Sequence, residues 1–126
     1  MGLVTPMNIL EGIERGVDML DCGMPTRNGR KGQIFTWQGS INFRNAKWAN
    51  DFRPFDPEGT AAVDQRYTRA YLHHLFKCKE LLALQIASIH NLAFYLELVR
   101  QAREHILAND FSAWKRQVMP RLAQRL

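Results

Sequence analysis

A helix followed directly by a strand that ends in an acidic residue is the sequence feature that most constrains the fold. Residues 8–15 carry apolar side chains at helical spacing, which predicts a short amphipathic helix that Gly16 ends. The mostly apolar run 17–20 predicts a strand, and Asp21 follows it at the start of a loop rich in glycine, proline and arginine. Helix, glycine, strand and functional residue form the repeating step of a parallel barrel or sheet, so the sequence predicts an α/β fold.

The middle of the chain predicts a hairpin and then an irregular segment. Residues 33–37 and 40–44 predict two strands that turn at Gln38-Gly39, although their apolar alternation is imperfect. Residues 50–60 contain two prolines and predict a loop without regular structure. The hairpin therefore separates the predicted barrel step from everything that follows it.

The remainder of the chain predicts three helices. Thr68 is a suitable N-cap for a helix that reaches about Lys77, and a longer helix is predicted over residues 79–108. A short helix begins at Phe111 and is interrupted or ended near Pro120. Spacing of three and four residues predicts that the buried face of the long helix consists of Leu82, Ile86, Ile89, Ala93 and Leu96.

The positive charge is concentrated rather than spread along the chain. The formal net charge is +5, and residues 22–53 carry six basic residues against Asp51 alone. Residues 114–126 add four more basic residues and no acid. This distribution indicates a polyanion partner, while a solvated basic surface explains the charge equally well. The aromatic residues of the basic stretch are candidates for stacking on bases, and a small core is the favoured interpretation for Phe35, Trp37, Phe43, Trp48 and Phe52.

Composition excludes several classes of protein. The two cysteines give no disulfide framework, and no signal-peptide pattern is found at the beginning of the sequence. The sequence predicts no membrane span, because no uninterrupted apolar run approaches the required length of about 18 residues. We therefore expect a cytoplasmic protein with no membrane partner. At 126 residues the chain is too short for a complete (β/α)8 barrel, which typically needs about 250 residues.

The segment from Asp21 to Arg30, Asp-Cys-Gly-Met-Pro-Thr-Arg-Asn-Gly-Arg, resembles a motif of the tRNA-guanine transglycosylases, also called queuine tRNA-ribosyltransferases. Further blocks resemble the same family in the same order, and the match covers nearly the whole chain. It corresponds to the C-terminal part of the bacterial enzymes. The additional matching blocks are residues 32–37, 41–47, 51–56, 68–75 and 89–95.

The resemblance implies an incomplete barrel. The expected fold class is α/β: the C-terminal segment of a (β/α)8 TIM-type barrel with an inserted β-hairpin and C-terminal helices. Residues 1–32 would form the last barrel helix and strand with the catalytic loop. Residues 33–66 would form the hairpin and irregular region, and residues 67–126 the C-terminal helices.

The resemblance implies a base exchange at the wobble position of tRNA. The family replaces guanine there with a 7-deazaguanine precursor of queuosine, which is 7-aminomethyl-7-deazaguanine in bacteria and queuine in eukaryotes. The implied partners are the tRNA anticodon loop, the 7-deazaguanine base, and either a second copy or the missing N-terminal part of the barrel. The general acid–base aspartate would belong to that missing part, so we expect the chain alone to be inactive. A non-catalytic RNA-binding or dimerisation module and a degenerate fragment are the alternatives.

The resemblance also implies roles for individual residues. Asp21 would be the nucleophile that traps the sugar covalently, as a carboxylate does in retaining glycosidases. Asp18, two residues earlier, is the alternative, and a structural ion pair is the ordinary role of such an acid. The anticodon-loop backbone would be held by Arg27 and Arg30, with Gly29 between them allowing close approach, and by Lys31 and Thr26; Arg44 and Lys47 are weaker candidates. Met1 and Gly2 resemble residues that line the base pocket.

The metal site is the main departure from the family. Its members usually hold a structural zinc with three cysteines and one histidine. The three cysteine positions read Gly59, Ala61 and Asp64 here, and the histidine is retained as His90. We expect no metal and no other cofactor, because closed zinc sites need four nitrogen or sulfur ligands. Cys78 is the nearest spare thiol, and its apolar neighbours predict that it is buried.

Overall fold

The computed structural model describes residue 2 and residues 4–126. Together these residues form six helices, a single turn of 3-10 helix and a two-stranded antiparallel sheet. The helices are α1 Pro6–Glu14, α2 Met24–Arg30, α3 Val63–Arg66, α4 Arg69–Lys77, α5 Leu81–Leu107 and α6 Phe111–Leu122. The strands are β1 Gln33–Thr36 and β2 Gly39–Asn42, and the 3-10 turn is Ala46–Trp48.

Helix α1 begins and ends where the sequence predicts, within two residues. Thr5 caps it: its side chain accepts a hydrogen bond from the backbone of Asn8, and the Asn8 side chain accepts one from the Thr5 amide. Gly16 follows the helix with φ +91°, a conformation that residues with a Cβ rarely adopt. Local chemistry alone explains both ends of this helix.

The predicted strand at residues 17–20 is wrong for the described chain. No strand is assigned there, and Val17, Met19 and Leu20 are at least 40% exposed. The nearest equivalent of strand pairing is a long hydrogen bond, 3.4 Å, from the Gly2 amide to the Asp21 carbonyl. A strand requires a neighbour for its backbone hydrogen bonds, and a barrel strand also requires cover on both faces. Among the residues described here, no neighbouring strand supplies either.

The loop predicted after Asp21 is largely a helix. Helix α2 begins at Met24, and Pro25 lies in its first turn, where proline is tolerated because the missing N–H has no partner inside the helix. Gly29 is buried against α5: a Cβ there would lie 3.2 Å from backbone atoms of Ala87. The absence of a side chain at position 29 therefore allows the two helices to pack closely, rather than exposing backbone to a ligand.

The hairpin is confirmed with a small shift of its turn. Ile34 pairs with Ile41 and Thr36 with Gly39, so that Trp37 and Gln38 form the turn. Gly39 has φ +137°, and a Cβ there would overlap the Gln124 carbonyl. The C-terminal tail lies along β2, with the Ser40 amide donating to Gln124 and the Leu126 amide donating back to Ser40, both at 2.9 Å.

The later helices form as predicted, with two differences in detail. Thr68 caps α4 by accepting a hydrogen bond from the Tyr71 amide at 3.1 Å. Helix α6 continues through Pro120, near which it was predicted to be interrupted or to end, and ends two residues later at Leu122. Pro120 has no N–H to donate to the Arg116 carbonyl, so the last turns of α6 lack one helical hydrogen bond. Cys78 is exposed at the C-terminal cap of α4, so its predicted burial is wrong.

The buried face of α5 is rotated from the predicted one. Of the predicted set, Ile86 is buried, whereas Ile89 is 50% and Leu96 72% exposed. The face that packs inward includes two polar residues, His90 and Asn91, which a search for apolar spacing passes over. Its other buried members are Ala83, Ala87, Phe94, Tyr95, Leu98 and Ala102.

Helix α5 joins two hydrophobic clusters. One packs its C-terminal half against α1, α2 and α6 around Leu10, Phe94 and Trp114. The other packs its N-terminal half against the hairpin and α4 around Phe43, Phe55 and Leu72. Phe35, Trp37, Phe43 and Trp48 are all in these cores, as the sequence favours, while Phe52 is 73% exposed.

Helix α5 is long and apolar enough, by length and composition alone, to cross a membrane. In this structure 44% of its most apolar window is buried within the chain. The core helix of a folded domain meets the same criterion. The length and composition of α5 therefore do not test the expectation that the protein has no membrane span.

Candidate functional site

Asp21 lies on an exposed segment between α1 and α2, at the edge of a groove. The groove has a volume of about 450 Å³ and is bounded by α1, residues 17–22 and α5. Asp18 and Asp21 supply its acidic groups, and both are exposed. Neither carboxylate has a hydrogen-bond or ion-pair partner within the described part of the chain. Both predicted acids are therefore accessible to a ligand, and the geometry does not choose between them.

The wall of this groove is mostly apolar and open. It contains side chains from the outward face of α5, including Leu92, Leu96 and Val99, all at least 46% exposed. Val17 and Leu20 continue the same surface from the segment before Asp21. An apolar surface of this kind next to an acidic group usually lies against another part of a protein.

The basic residues predicted to bind a backbone lie on α2 and at its end. Arg27 and Arg30 are exposed and three residues apart, which places them on neighbouring turns of one helix face. Lys31, the C-cap, is exposed as well. None of these three side chains has a hydrogen-bond or ion-pair partner among residues 2 and 4–126. The Thr26 hydroxyl donates to the Gly23 carbonyl at 3.3 Å.

Asn91 fixes α2 and β1 relative to α5. Its side-chain amide donates to the carbonyl oxygens of Pro25 and Gln33, at 2.9 and 3.0 Å, and its oxygen accepts the Phe35 amide at 3.1 Å. All these bonds are shielded, because Asn91 is 0% exposed. Sequence reasoning assigned no role to Asn91. An asparagine within an apolar helix, next to a histidine, was the available signal.

The residue before it, His90, is the centre of a buried polar cluster. Its Nδ1 lies 2.6 Å from Asp64 Oδ1, and its Nε2 lies 2.7 Å from the Phe35 carbonyl oxygen. Asp64 Oδ2 accepts the Ala61 amide at 2.9 Å. Burial opposes a charge on His90, yet the hydrogen bond to Asp64, that carboxylate's charge and the Phe35 carbonyl together raise the pKa of His90 above its usual value.

A second acid completes the cluster. Asp56 is 3% exposed, and its Oδ2 lies 3.9 Å from His90 Nε2 without a hydrogen-bond partner in the described chain. Burial raises the pKa of Asp56. A cavity of about 10 Å³, lined by these residues and Glu97, has room for about one water molecule.

The residues of this cluster do not fit the zinc that the resemblance implies. Asp64, Asp56 and His90 offer three ligand atoms within 4.8 Å of one another. However, two ligands at about 2.0–2.1 Å on one tetrahedral zinc lie roughly 3.3 Å apart, and the 2.6 Å contact of His90 with Asp64 is a hydrogen bond instead. Both histidine nitrogens face acceptors. A cysteine at position 59 has no room, since a Cβ on Gly59 would overlap the Asp64 carboxylate.

The N-terminal residues adjoin Asp21 at one point. The Gly2 amide donates to the Asp21 carbonyl, which places this backbone beside the candidate nucleophile. Met1, the other predicted base-pocket residue, lies outside the described residues. The Tyr95 hydroxyl donates to the Val4 carbonyl at 2.7 Å and fixes the segment that leads to α1.

An accessible carboxylate beside a basic helix, on a fold that mixes helices with a short hairpin, is compatible with a segment of a larger α/β enzyme. The family model described as queuine tRNA-ribosyltransferase matches residues 1–124. The chain belongs to this family.

Individual relatives agree. The chain is 49% identical over 121 residues to a queuine tRNA-ribosyltransferase of Helicobacter acinonychis, covering 96% of this chain and 33% of the relative. It is 46% identical to that of Helicobacter pylori, over 99% of this chain and 34% of the relative. It is 49% identical to a queuine tRNA-ribosyltransferase of Clostridium kluyveri, over 93% of this chain and 31% of the relative. The chain thus spans about a third of the length of these relatives.

Proposed function

We propose that this chain is the C-terminal portion of a tRNA-guanine transglycosylase, which exchanges the wobble guanine of tRNA for a 7-deazaguanine precursor of queuosine. Membership of the family supports the reaction class. The observation that carries the proposal for this chain is the position of Asp21. Its carboxylate is exposed three residues before a helix that presents Arg27 and Arg30. The proposed substrate also implies a cytoplasmic location.

The proposed reaction has two displacements at one carbon. The Asp21 carboxylate attacks C1′ of the ribose, the C1′–N9 bond breaks, and guanine leaves with the bonding electrons and takes up a proton. The resulting aspartyl–ribose ester is attacked at C1′ by a ring nitrogen of the deazaguanine, which loses a proton as the carboxylate departs. Because the two displacements occur in succession at C1′, the configuration of that carbon is retained, and a single well-placed carboxylate is enough for this.

The remaining parts of the site are proposed to come from elsewhere in the enzyme. The acid–base group and most of the base pocket would belong to the two thirds of the relatives' length that this chain does not span. We propose that this portion covers the apolar groove beside Asp21, which contains the exposed Leu92, Leu96 and Val99. A second copy of the chain is the other candidate partner, at a surface separate from the groove.

A chimeric enzyme tests the proposal. This chain is fused behind the first two thirds of the Helicobacter acinonychis relative, and guanine exchange and covalent RNA adducts are measured on denaturing gels. We expect the Asp21→Ala chimera to form no adduct and to lose exchange by at least three orders of magnitude, while Asp18→Ala retains both. An adduct that persists in Asp21→Ala and disappears in Asp18→Ala would identify Asp18 as the nucleophile.

RNA binding by the variants separates this function from the alternative. A non-catalytic RNA-binding module would bind tRNA in the chimera without any exchange or adduct. The deciding protein is the chimera that retains both Asp18 and Asp21. If it folds and binds tRNA normally but forms no adduct, the binding module is favoured over the enzyme.

A further inference from the structure

We propose that a buried histidine cation takes the place of the family's zinc: His90 carries protons on both ring nitrogens, donates one to Asp64 and the other to the Phe35 carbonyl, and so joins α5, α3 and β1 without metal. The inference rests on side-chain geometry and on family membership. It does not depend on the proposed reaction of Asp21.

The hydrogen-bond partners determine the protonation of His90. A carbonyl oxygen only accepts, so Nε2, which lies 2.7 Å from the Phe35 oxygen, must carry a hydrogen. Burial opposes a charge on His90, but the hydrogen bond to Asp64 and the charge of that carboxylate raise the pKa of His90, which places the shared proton on Nδ1. Asp64 Oδ2 also accepts the Ala61 amide. The pair is therefore an imidazolium and a carboxylate.

The environment of the pair favours the cation. Asp56 places a second carboxyl oxygen 3.9 Å from Nε2, and Glu97 lines the same small cavity. Apart from His90 itself, no cationic side chain of the described residues lines that cavity. Phe55 meets the imidazole edge-on at 4.9 Å, and Phe94 stacks on it at 6.4 Å. The two rings shield the imidazole from water, and His90 is only 1% exposed.

The sequence changes at the three cysteine positions are coupled through space. The Asp64 side chain reaches across to His90 and occupies the volume that a Cβ at position 59 would need, which accounts for glycine there. The residue at position 61 contributes its backbone amide to the same carboxylate. Asp64 thus accounts for the glycine at position 59, while its contact with position 61 uses a backbone amide that other residues also supply.

The cluster also supports the segment that carries the basic residues. His90 holds the carbonyl of Phe35, and its neighbour Asn91 holds the amide of the same residue. Asn91 in turn holds Pro25 in the first turn of α2. Adjacent residues of α5 therefore hold both backbone groups of Phe35, on the edge of β1 that does not pair with β2, and Asn91 also holds the start of α2. This is the role a structural metal would otherwise have at this corner.

The test uses the full 126-residue chain, prepared without a histidine tag from zinc-supplemented medium. We expect much less than one zinc per chain by elemental analysis and a melting temperature that a chelator does not change. Nitrogen-15 NMR at pH 7.5 should show both His90 nitrogens protonated. About one bound zinc with chelator sensitivity, or a neutral His90, would overturn the proposal.

Three variants make the test independent of simple unfolding. Asp64→Asn should lower the melting temperature by about 10 °C or more, whereas Asp110→Asn, which breaks the exposed pair with His105, should change it by less than about 2 °C. If Asp64→Asn does not fold, the Gly59→Cys/Ala61→Cys/Asp64→Cys variant decides. It should bind one zinc and become sensitive to chelator. A folded triple variant without zinc affinity would show that these positions do not replace ligands.

Discussion

At the scale of single residues, exposure and satisfied hydrogen bonds separate the candidate functional groups from the structural ones. Arg27 and Arg30 are exposed cations without partners in the described chain, which is the state of a side chain available to a phosphate. His90 and Asn91 are fully enclosed, and every strong donor they have is used. We therefore expect substitutions of Arg27 and Arg30 to affect RNA binding, and substitutions of His90 and Asn91 to affect folding.

We predict that Arg27→Ala in the chimeric enzyme weakens tRNA binding about tenfold and makes the slope of log Kd against log salt shallower by about one unit. Removing one phosphate contact releases one fewer counterion, which is the reason for the change in slope. Titrations at several salt concentrations measure both quantities. Arg103→Ala, an exposed arginine of α5, is the matched control and should change neither.

We predict that Gly59→Ala destabilises the chain by about 2–3 kcal/mol. The added methyl group would overlap the Asp64 carboxylate and displace it from His90, which combines overpacking with the loss of a buried pair. Urea denaturation of both proteins measures the difference. Gly23→Ala is the control, since no atom lies within 4 Å of a Cβ there. Equal stability of the two variants would contradict the observed position of the carboxylate.

At the scale of elements, polar contacts connect helices and irregular segments that apolar packing alone would leave loosely placed. Lys115 of α6 is 9% exposed and binds Glu11 at 3.0 Å and also Glu14, both on α1. Asp51 ties the irregular segment to α4: its carbonyl accepts the Ala70 amide at 2.8 Å, and its carboxylate lies 3.6 Å from Arg69. These contacts set where each helix begins relative to its neighbours.

The ion pairs of Asp51 predict a loss of stability in acid. The hydrogen bonds from Arg53 lower the pKa of Asp51 from 3.8 to about 2 despite its partial burial. The stabilisation is therefore complete above pH 3.8 and disappears as the pH falls through about 2. We expect it to amount to about 1–2 kcal/mol, because Arg53 is mostly exposed.

Melting curves of wild type and Asp51→Asn at pH 6 and pH 2.5 measure this contribution. The difference between the two proteins should shrink at the lower pH. Asp18→Asn is the control and should match wild type at both values. A difference for Asp51→Asn that is the same at both pH values would show that the side chain acts without its charge.

At the scale of the whole molecule, the chain forms two hydrophobic clusters on one long helix and leaves one side of that helix uncovered. The uncovered side lies next to Asp21 and Asp18, where the groove opens. Membership of a family whose compared members are about three times as long gives this surface its proposed partner.

We predict that the purified 126-residue chain has no guanine exchange activity above a control without enzyme. An exposed nucleophile without its base pocket and general acid lacks the positioning that lowers the barrier. Incorporation of labelled guanine into tRNA measures the activity. Exchange by the isolated chain that disappears in Asp21→Ala would show that the chain contains a complete site.

The elements that depend on local sequence could be predicted, and those that depend on distant partners could not. Thr5 and Thr68 cap their helices by accepting hydrogen bonds from amides three residues further on. Gly39 has a positive φ, which glycine adopts easily. Helices α1 and α4 and the hairpin therefore follow from the local sequence. The roles of Asp21 and Arg27 stay predictions from the motif. The prediction of a strand at residues 17–20 was wrong because a strand needs hydrogen-bond partners from another segment.

Only the tertiary structure decided which side of α5 is buried and which residues bind His90. Spacing of apolar residues favoured a face through Ile89 and Leu96, yet His90 and Asn91 face inward because β1, α2 and Asp64 supply hydrogen-bond partners for them. These partners lie 26 or more positions away in the chain. A pattern within one helix carries no information about them, whereas the folded chain brings them within 3.1 Å of these two side chains.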